Sequence, residues 1–269
     1  MKAKTWFSAS ECSDSGRQGF TRLELLVIIG LLALLATIQV SAHAGAKWRT
    51  REAMCASNVR KLTMVLHLYG NDNENKLPVM SGNAAWAWDM PTNVADDLIS
   101  YGLHKRDFYC PSTAPEFTDW ENFLDPAPGH NLWDWGPTFH IVGYILAISG
   151  PASRLSSTNQ NATLLAEPRK GSPFAFYPPQ PPPPNSEREL VADVIISAPG
   201  QNNATLRLTG TYNYDNILGG YYRLNISSHL NGHLPQGSNI GYKDGHVAWR
   251  KFSDSRMAPR TVSGATFWW

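Results

Sequence analysis

The sequence predicts an α+β fold in which one long N-terminal helix packs on an antiparallel β-sheet, with irregular loops rich in aromatic residues and proline. Three observations support this prediction. Apolar side chains recur at helical spacing up to about residue 70. Short apolar runs bounded by turn residues follow, which is the pattern of strands. Finally, 19 prolines, 21 glycines and ten each of Trp, Tyr and Phe are typical of a loop-rich domain with an aromatic core.

The bulk composition excludes one large class of partners. The chain has 269 residues, enough for a domain with its own core. Its formal net charge is only +1, and charged residues make up 17% of it. Nucleic-acid binding needs a concentrated basic surface, so no nucleic-acid partner is expected. No sequence motif indicates a bound cofactor, and none is expected.

The N-terminal segment of the sequence is the most informative one. Residues 25–38 form an apolar run of 14 residues, interrupted only by one Gly and one Thr, whereas a membrane-spanning helix needs about 20. Extending the count to residues 20–40 gives 21 residues, and this length corresponds to about 32 Å of helix. We therefore expect residues 20–43 to form a transmembrane helix.

Glu24 places a carboxylate at the edge of this apolar segment. Such a group costs on the order of 2.5–3.5 kcal/mol near the centre of a membrane helix and less near the interface, so it usually has a partner. No basic residue lies four positions further on, where the chain has Ile28. Cutting the chain before Phe20 would create an α-amino group, in the same chain or in a neighbouring copy, that could pair with Glu24.

Gly19, Phe20 and Glu24 resemble the type III signal of type IV prepilins and pseudopilins. That signal has Gly before the cut, an aromatic residue after it and Glu at the fifth mature position. The resemblance implies that residues 1–19 are a leader, and that a prepilin peptidase cleaves between Gly19 and Phe20 and methylates the new amine. It also implies that Glu24 acts in assembly. Arg22 departs from the family pattern, in which an apolar residue is commoner.

An ordinary secretory signal is the alternative for the same segment. Ala42-His43-Ala44 has the small-x-small form that a signal peptidase accepts. However, the region before the apolar run is long and carries Glu11 and Asp14, where a short basic start is expected. The prepilin interpretation is therefore preferred.

Residues 44–70 are predicted to form an amphipathic stalk helix. Its apolar positions fall at alternating steps of four and three: Cys55, Val59, Leu62, Leu66 and Tyr69. Gly70-Asn71 supplies a stop signal for the helix. The remainder, residues 71–269, is expected to form a periplasmic globular domain.

Of the three cysteines, Cys12 is lost with the leader, which leaves Cys55 and Cys110. The sequences around both resemble a pseudopilin family of planctomycetes and verrucomicrobia. A disulfide is the preferred interpretation for a pair of cysteines in an exported chain. Two buried free thiols and a metal site are the alternatives. The metal site is disfavoured because neither cysteine has a second Cys or a His two to four residues away.

In the middle of the chain, residues 141–148 are the best strand candidate, and residues 161–167 and 191–197 are expected to be further short strands or strand edges. Between them, residues 177–184 are expected to form an extended polyproline loop. Further on, Asp244-Gly245 lies between alternating apolar residues and predicts a hairpin turn. Its second strand would direct Val247 toward the core and Arg250 away from it.

The C-terminal part resembles the processing-associated element of the same pseudopilin family, a His, about nine residues and then Asp-Gly-His-Val. Here ten residues separate His233 from Asp244. With His229 and His246, these side chains suit two roles. They are either ligands of zinc or a similar ion, or groups that hydrogen-bond the turn to the sheet. The second role is preferred.

Together these resemblances imply a pilin-like form of the α+β fold, with the first half of the long helix in the membrane. They imply a structural pseudopilin subunit of a type II secretion or type IV pilus-like filament. The expected partners are a prepilin peptidase, other pseudopilin subunits and the bacterial inner membrane. The chain would cross that membrane once, with its C-terminal domain in the periplasm or in a surface filament.

No nucleophile elbow, phosphate-binding loop or HExxH motif occurs in the sequence, so the chain is not expected to be an enzyme. The alternative function is a membrane-anchored periplasmic binding module for a glycan or a metal. Such a module would use the pilin-like anchor for delivery only.

Overall fold

The computed structural model describes residues 21–113, 131–166, 183–219, 224–262 and 264–269, without the side chains of residues 35–47. The predicted leader, the cut between Gly19 and Phe20 and most of the polyproline loop lie outside these described residues. Two compact units are present, Met1–Lys47 and Trp48–Trp269. The packing described below belongs to the second unit.

The predicted α+β class is confirmed, because helices and antiparallel strands both occur. Helix α1 spans Arg22–Asp72, and helix α2 spans Thr92–Ser100. The strands of the described residues are β1 (Asp89–Pro91), β2 (Phe139–Ile141), β3 (Tyr144–Leu146), β4 (Glu189–Asp193), β5 (Ile196–Ser197), β6 (Ile217–Leu218), β7 (Leu224–Asn225), β8 (Leu230–Asn231), β9 (Leu234–Pro235), β10 (Gly237–Tyr242), β11 (Val247–Lys251) and β12 (Thr266–Phe267). Within the described part of the chain, no helix combines the length and the apolar character needed to cross a membrane.

The first turns of helix α1 expose apolar side chains on every side. Each residue from Thr21 to Leu34 is exposed. The large apolar ones among them are Leu23, Leu25, Leu26, Val27, Ile28, Ile29, Leu31, Leu32 and Leu34. Because an α-helix has 3.6 residues per turn, this run covers the whole circumference of the helix.

The predicted apolar face in the second unit is buried except at Tyr69, which is half-buried. Cys55, Val59, Leu62 and Leu66 of helix α1 are each at 0% exposure. Positions three and four apart lie on one side of a helix, so these side chains form a single stripe. The stripe belongs to the main apolar cluster, which also contains Tyr144, Leu146 and Val191 of the sheet.

The main sheet has four antiparallel strands in the order β11-β10-β4-β3. One rung across it consists of Leu146, Val191, Gly241 and Val247. Gly241 lies very close to helix α1, because a Cβ there would lie 2.1 Å from Thr63 Oγ1. Glycine therefore lets the helix and the sheet meet without a side chain between them.

The opposite face of the sheet is covered by a second apolar cluster. The adjacent rung consists of Ile145, Ala192, Ile240 and Ala248. Its side chains pack with Phe267 and Trp269, which are at 0% and 1% exposure. The neighbouring residues Val191 and Ala192 of β4 thus enter different clusters, as the two-residue period of a strand requires.

The predicted hairpin at Asp244-Gly245 is confirmed, because β10 and β11 pair on either side of it and Gly245 has a φ of +92°. The expectation that Arg250 faces solvent is wrong, since it is only 3% exposed. Its Nη2 donates to Glu189 Oε1 at 2.8 Å and to the Tyr242 hydroxyl at 3.0 Å. A sheet covered on both faces leaves no solvent side, so the guanidinium is buried with these acceptors.

Two predicted boundaries differ from the structure. Helix α1 continues past Gly70 and ends at Asp72, and Glu74 and Asn75 then adopt positive φ. Gly70 serves close packing, because a Cβ there would lie 2.4 Å from Leu164 Cδ1. The run at residues 141–148 is divided between β2 and β3 at Gly143.

We predict that Gly241→Ala lowers the free energy of unfolding by about 1–3 kcal/mol, the usual cost of overpacking a core. The new methyl group would contact Thr63 and Val59 of helix α1. Chemical denaturation of the purified full-length chain measures this change.

The matched control for this change is Gly136→Ala, whose Cβ meets only Phe139 Cε1 at 4.0 Å. This control should be close to neutral. In the double variant with Thr63→Ala, the destabilisation should be smaller than the sum of the single effects, because the closest atom is gone. Wild-type stability of Gly241→Ala would contradict the described packing of helix and sheet.

A second prediction concerns pH and the buried carboxylate of Asp89. Its Oδ2 accepts hydrogen bonds from the backbone N–H groups of Ala85 and Trp86 at 2.7 and 2.8 Å. Burial nevertheless raises the pKa of Asp89 to about 6. Between the ordinary pKa of aspartate and this value, the folded chain holds a proton that the unfolded chain has released. Stability should therefore fall as pH rises from about 4 to about 6, by up to about 3 kcal/mol.

Asp89→Asn is the appropriate comparison, because an amide oxygen can accept both backbone hydrogen bonds but does not ionise. The difference in unfolding free energy between the two proteins, measured across this pH range, should change in favour of the variant as pH rises. A difference that stays constant with pH would contradict the raised pKa.

Candidate functional site

Four potential metal-ligating side chains meet in one buried cluster: Cys55, Cys110, Asp193 and His229. Each comes from a different segment of the chain, and their ligand atoms all lie within 4.8 Å of one another. Their exposures are 0%, 2%, 0% and 1%, respectively. Among the described residues, this is the group in which His, Cys and carboxylate ligand atoms converge.

Helix α1 and strand β4 bring Cys55 and Asp193 together. Cys55 lies on the buried stripe of the helix, and Asp193 is the last residue of β4. Asp193 pairs in register with Tyr144. Because side chains alternate along a strand, Asp193 is on the same face as Val191, which packs in the cluster with helix α1.

Cys110 is held close to the sheet by a glycine. A Cβ at Gly143 would lie 2.9 Å from the Cys110 backbone nitrogen, and the Gly143 N–H donates to the Phe108 carbonyl at 2.8 Å. The Cys110 sulfur also contacts Ser112 Oγ at 2.8 Å. A larger residue at position 143 would push this segment, and the thiol with it, away from the sheet.

His229 reaches the cluster through a strained backbone. Its φ is +53°, in the left-handed region that non-glycine residues rarely adopt. The preceding Ser228 is tied to the Val194 carbonyl by its backbone N–H at 2.9 Å and its hydroxyl at 2.7 Å. The indole of Trp249 lies edge-on to the imidazole, with 5.1 Å between ring centroids. These contacts direct the imidazole inward.

Asp193 Oδ2 is the centre of the hydrogen bonding. It accepts from the Cys55 thiol at 2.6 Å and lies 2.7 Å from His229 Nε2. Cys110 Sγ is 3.6 Å from the same imidazole nitrogen, and the Tyr144 hydroxyl donates to Cys55 Sγ at 3.6 Å. Two buried atoms of the cluster, Asp193 Oδ1 and His229 Nδ1, have no hydrogen-bond partner within the described structure.

The charges of the cluster depend on one another. Burial raises the pKa of the Cys55 thiol well above its usual range, and Cys110 and Asp193 raise it further. Burial acts in the same direction at Cys110, but the hydrogen bond with Cys55 and the charge of His229 outweigh it and lower the pKa to about 7. Burial lowers the pKa of His229, but the Asp193 carboxylate outweighs it and raises the pKa to about 11.

The arrangement restricts what the cluster can do chemically. All four side chains are sealed from solvent, so a substrate would have no path to the thiols. The donors are two sulfur atoms, one imidazole nitrogen and one carboxylate oxygen, which are the types of ligand that zinc binds. Two functions remain: a buried ion pair with two thiols, or a closed metal centre.

The four residues predicted as one ligand set do not form one group in the described structure. His229 belongs to the buried cluster, whereas His233 is exposed and its Nδ1 contacts Asp215 Oδ2. His246 Nδ1 lies 2.6 Å from Asp244 Oδ1, and its ring stacks on Tyr242. The preferred alternative, stabilisation of the turn, agrees with the contacts of Asp244 and His246.

The predicted disulfide is not formed, because both Cys55 and Cys110 are free and buried. Each sulfur has other polar contacts, with Asp193 for Cys55 and with Ser112 for Cys110. Of the three interpretations of the pair, free thiols agree with the structure. The objection to a metal site was the lack of ligands nearby in sequence, and folding removes it by supplying Asp193 and His229.

Glu24 caps its own helix. The Thr21 N–H donates to Glu24 Oε2 at 2.8 Å, and the Glu24 N–H donates to Thr21 Oγ1 at 3.2 Å. This reciprocal pair is a capping box, which satisfies backbone donors at the start of a helix. The sequence analysis missed this role, although Thr and Glu three positions apart are its signature.

Asp193 is the main residue that the sequence analysis missed. Its signal in the sequence is its place inside an otherwise apolar run, Leu190 to Ile196. A buried charge requires compensation, so a lone carboxylate in such a run indicates a partner elsewhere in the chain.

No protein-family model, no curated protein and no solved structure matches this chain. The resemblance of its two ends to pseudopilins therefore stays an expectation from the sequence.

Proposed function

We infer that the chain is a structural pseudopilin subunit of a type II secretion or type IV pilus-like filament. In this proposal, a prepilin peptidase removes residues 1–19, and the first half of helix α1 lies in the inner membrane. On assembly, that half packs against neighbouring subunits. The domain formed by the second unit contributes surface to the filament and carries out no reaction. This is the pilin-like form of the α+β fold.

The observation that carries the proposal is the exposed apolar surface at the start of helix α1. Every residue from Thr21 to Leu34 is exposed, and nine of them are large apolar residues. A helix that is apolar on all sides is stable only where lipid or other helices surround it. Contiguous exposed apolar surface marks a site that contacts other proteins or a membrane.

The change of pattern along helix α1 supports the same function. From Cys55 to Leu66, the apolar residues occupy one stripe that is buried in the second unit. Before residue 35, they occupy all sides. A single helix thus carries one segment suited to an apolar solvent and one suited to a domain core.

The hydrogen bonds of Glu24 leave room for an assembly role. They use Oε2, which accepts from Thr21. The carboxylate charge remains available to a cation, and the proposed partner is the α-amino group of Phe20 in a neighbouring subunit. In an apolar setting, such a pair would set the register between packed helices.

The first prediction from this proposal concerns processing. Mass spectrometry of the chain in the membrane fraction should find Phe20 as the N-terminal residue, with or without an added methyl group. Gly19→Val should block this cleavage, because the signal that these residues resemble has Gly before the cut. A mature chain that begins at Gly45 would contradict the proposal and indicate an ordinary secretory signal.

The second prediction separates the capping role of Glu24 from its charge. Glu24→Ala removes both, whereas Glu24→Gln keeps an oxygen that can accept from the Thr21 N–H. Both variants should be cleaved normally. Both should also fail to form filaments, because neither can pair with a cationic amine. The measurement is the amount of subunit in sheared filaments and in cross-linked multimers from cells.

The control for the second prediction is Thr21→Val, which removes the hydroxyl from the capping box and leaves the charge of Glu24. This variant should assemble. Filaments formed by Glu24→Gln would show that capping alone explains this residue. If wild-type chains stay monomeric in membranes and are retained on a glycan column, the alternative of an anchored binding module would replace the filament proposal.

A further inference from the structure

We propose that Cys55, Cys110, Asp193 and His229 form a closed structural site for one zinc ion. The site joins helix α1, the segment before Pro111, the end of strand β4 and the segment before strand β8. This inference goes beyond the function in a filament and does not depend on it. It would hold equally for a subunit that assembles and for one that does not.

The composition of the donor set favours zinc. Structural zinc sites use four protein ligands drawn from Cys, His and, less often, Asp or Glu. Two thiolates select against calcium and magnesium, which prefer oxygen ligands only. Because all four side chains are sealed from solvent, no position is left for an exchangeable water, as is typical of a structural site.

The distances are compatible with one ion at the centre. Bonds of about 2.0–2.3 Å in a tetrahedron place the ligand atoms about 3.3–3.8 Å apart. The four atoms here lie within 4.8 Å of one another, and Cys110 Sγ is 3.6 Å from His229 Nε2. The contacts of Asp193 Oδ2 with Cys55 and His229, at 2.6 and 2.7 Å, are shorter than this. Those two hydrogen bonds must therefore open when the ion enters.

The second oxygen of Asp193 makes this change feasible. Oδ1 is buried and has no hydrogen-bond partner within the described structure. A small rotation of the carboxylate would present either oxygen to the ion and separate the short contacts. Without an ion, this oxygen is buried with no hydrogen bond of its own, which carries a desolvation cost.

A divalent ion would compensate most of the charge of its ligands. With both thiols deprotonated and the His229 imidazole neutral, the four ligands carry three negative charges, and the ion reduces this to a single one. The protons held in the cluster leave to solvent as the ion binds, so the reaction needs no other reactant. Surrounding groups support the ligands, since the Tyr144 hydroxyl donates to Cys55 and Ser112 contacts Cys110.

The experiment measures metal and thiols in the same full-length chain. Cys12→Ser serves as the background, so that thiol counts concern Cys55 and Cys110 alone. The chain is purified without chelator, its zinc is measured by inductively coupled plasma mass spectrometry, and its thiols are titrated after denaturation. We expect one zinc per chain and two free thiols. A disulfide between the two cysteines in the isolated chain would overturn the proposal.

Substitutions of His229 test the ligand assignment. His229→Ala should lose the ion, so that zinc falls from one per chain to nearly none. His229→Cys should keep it, since a third thiolate can replace the imidazole. After exchange for cobalt, wild-type protein should show the visible bands of a tetrahedral site. In His229→Cys, the thiolate-to-cobalt absorption should rise about 1.5-fold, in proportion to three thiolates instead of two.

Two controls leave the four ligands intact. His233→Ala and His246→Ala each remove a histidine that lies outside the cluster. Both should retain one zinc per chain. Failure of wild-type protein to bind zinc when it is reduced and supplied with the ion would overturn the proposal, as would full zinc content in His229→Ala. Neither result would affect the filament proposal, because its tests concern Phe20 and Glu24.

Discussion

Burial of the Asp193 carboxylate at the interface of helix α1 and the sheet is the constraint on which the site depends. A desolvated carboxylate needs positive or hydrogen-bonding partners at close range. His229 supplies one by adopting a left-handed backbone, and Cys55 supplies another from the buried stripe of the helix. One charge therefore determines the positions of segments that are far apart in sequence.

The two covered faces of the sheet make this burial possible. Helix α1 covers one face and comes close enough that only glycine fits at position 241. The second apolar cluster, with Phe267 and Trp269, covers the other. Asp193 and Arg250 are both buried, so they find their partners within the protein. The buried polar contacts of these two residues follow from the covering of both faces of the sheet.

Helix α1 contributes to this core with its second half, and its first turns form a segment with exposed apolar side chains. The stripe from Cys55 to Leu66 is buried in the core of the domain, whereas the start of the helix exposes apolar side chains on all sides. A zinc ion bound by Cys55 would link the N-terminal end of that stripe to the three other segments that supply ligands. Under the filament proposal, forces on the membrane segment would reach the domain through this helix, and a metal centre there would resist separation of the two.

The sequence by itself determined the α+β class, the buried stripe of helix α1 and the hairpin at Asp244-Gly245. Each of these depends on local periodicity or turn chemistry, which a few neighbouring residues specify. The buried face of helix α1 followed from apolar residues at steps of three and four. The turn at Gly245 followed from the ability of glycine to adopt the positive φ that the structure shows there. The resemblance of the N-terminus to prepilins likewise rests on adjacent residues.

Only the tertiary structure decided which ligands meet. Cys55, Cys110, Asp193 and His229 come from four segments, and their convergence depends on strand order and on the approach of helix to sheet. Local patterns pointed instead to His233, Asp244 and His246, which are near His229 in sequence but make separate contacts. The burial of Arg250 and the close packing at Gly70 also required the fold. Contacts between distant segments have no periodic signature, so they become visible only when the chain is folded.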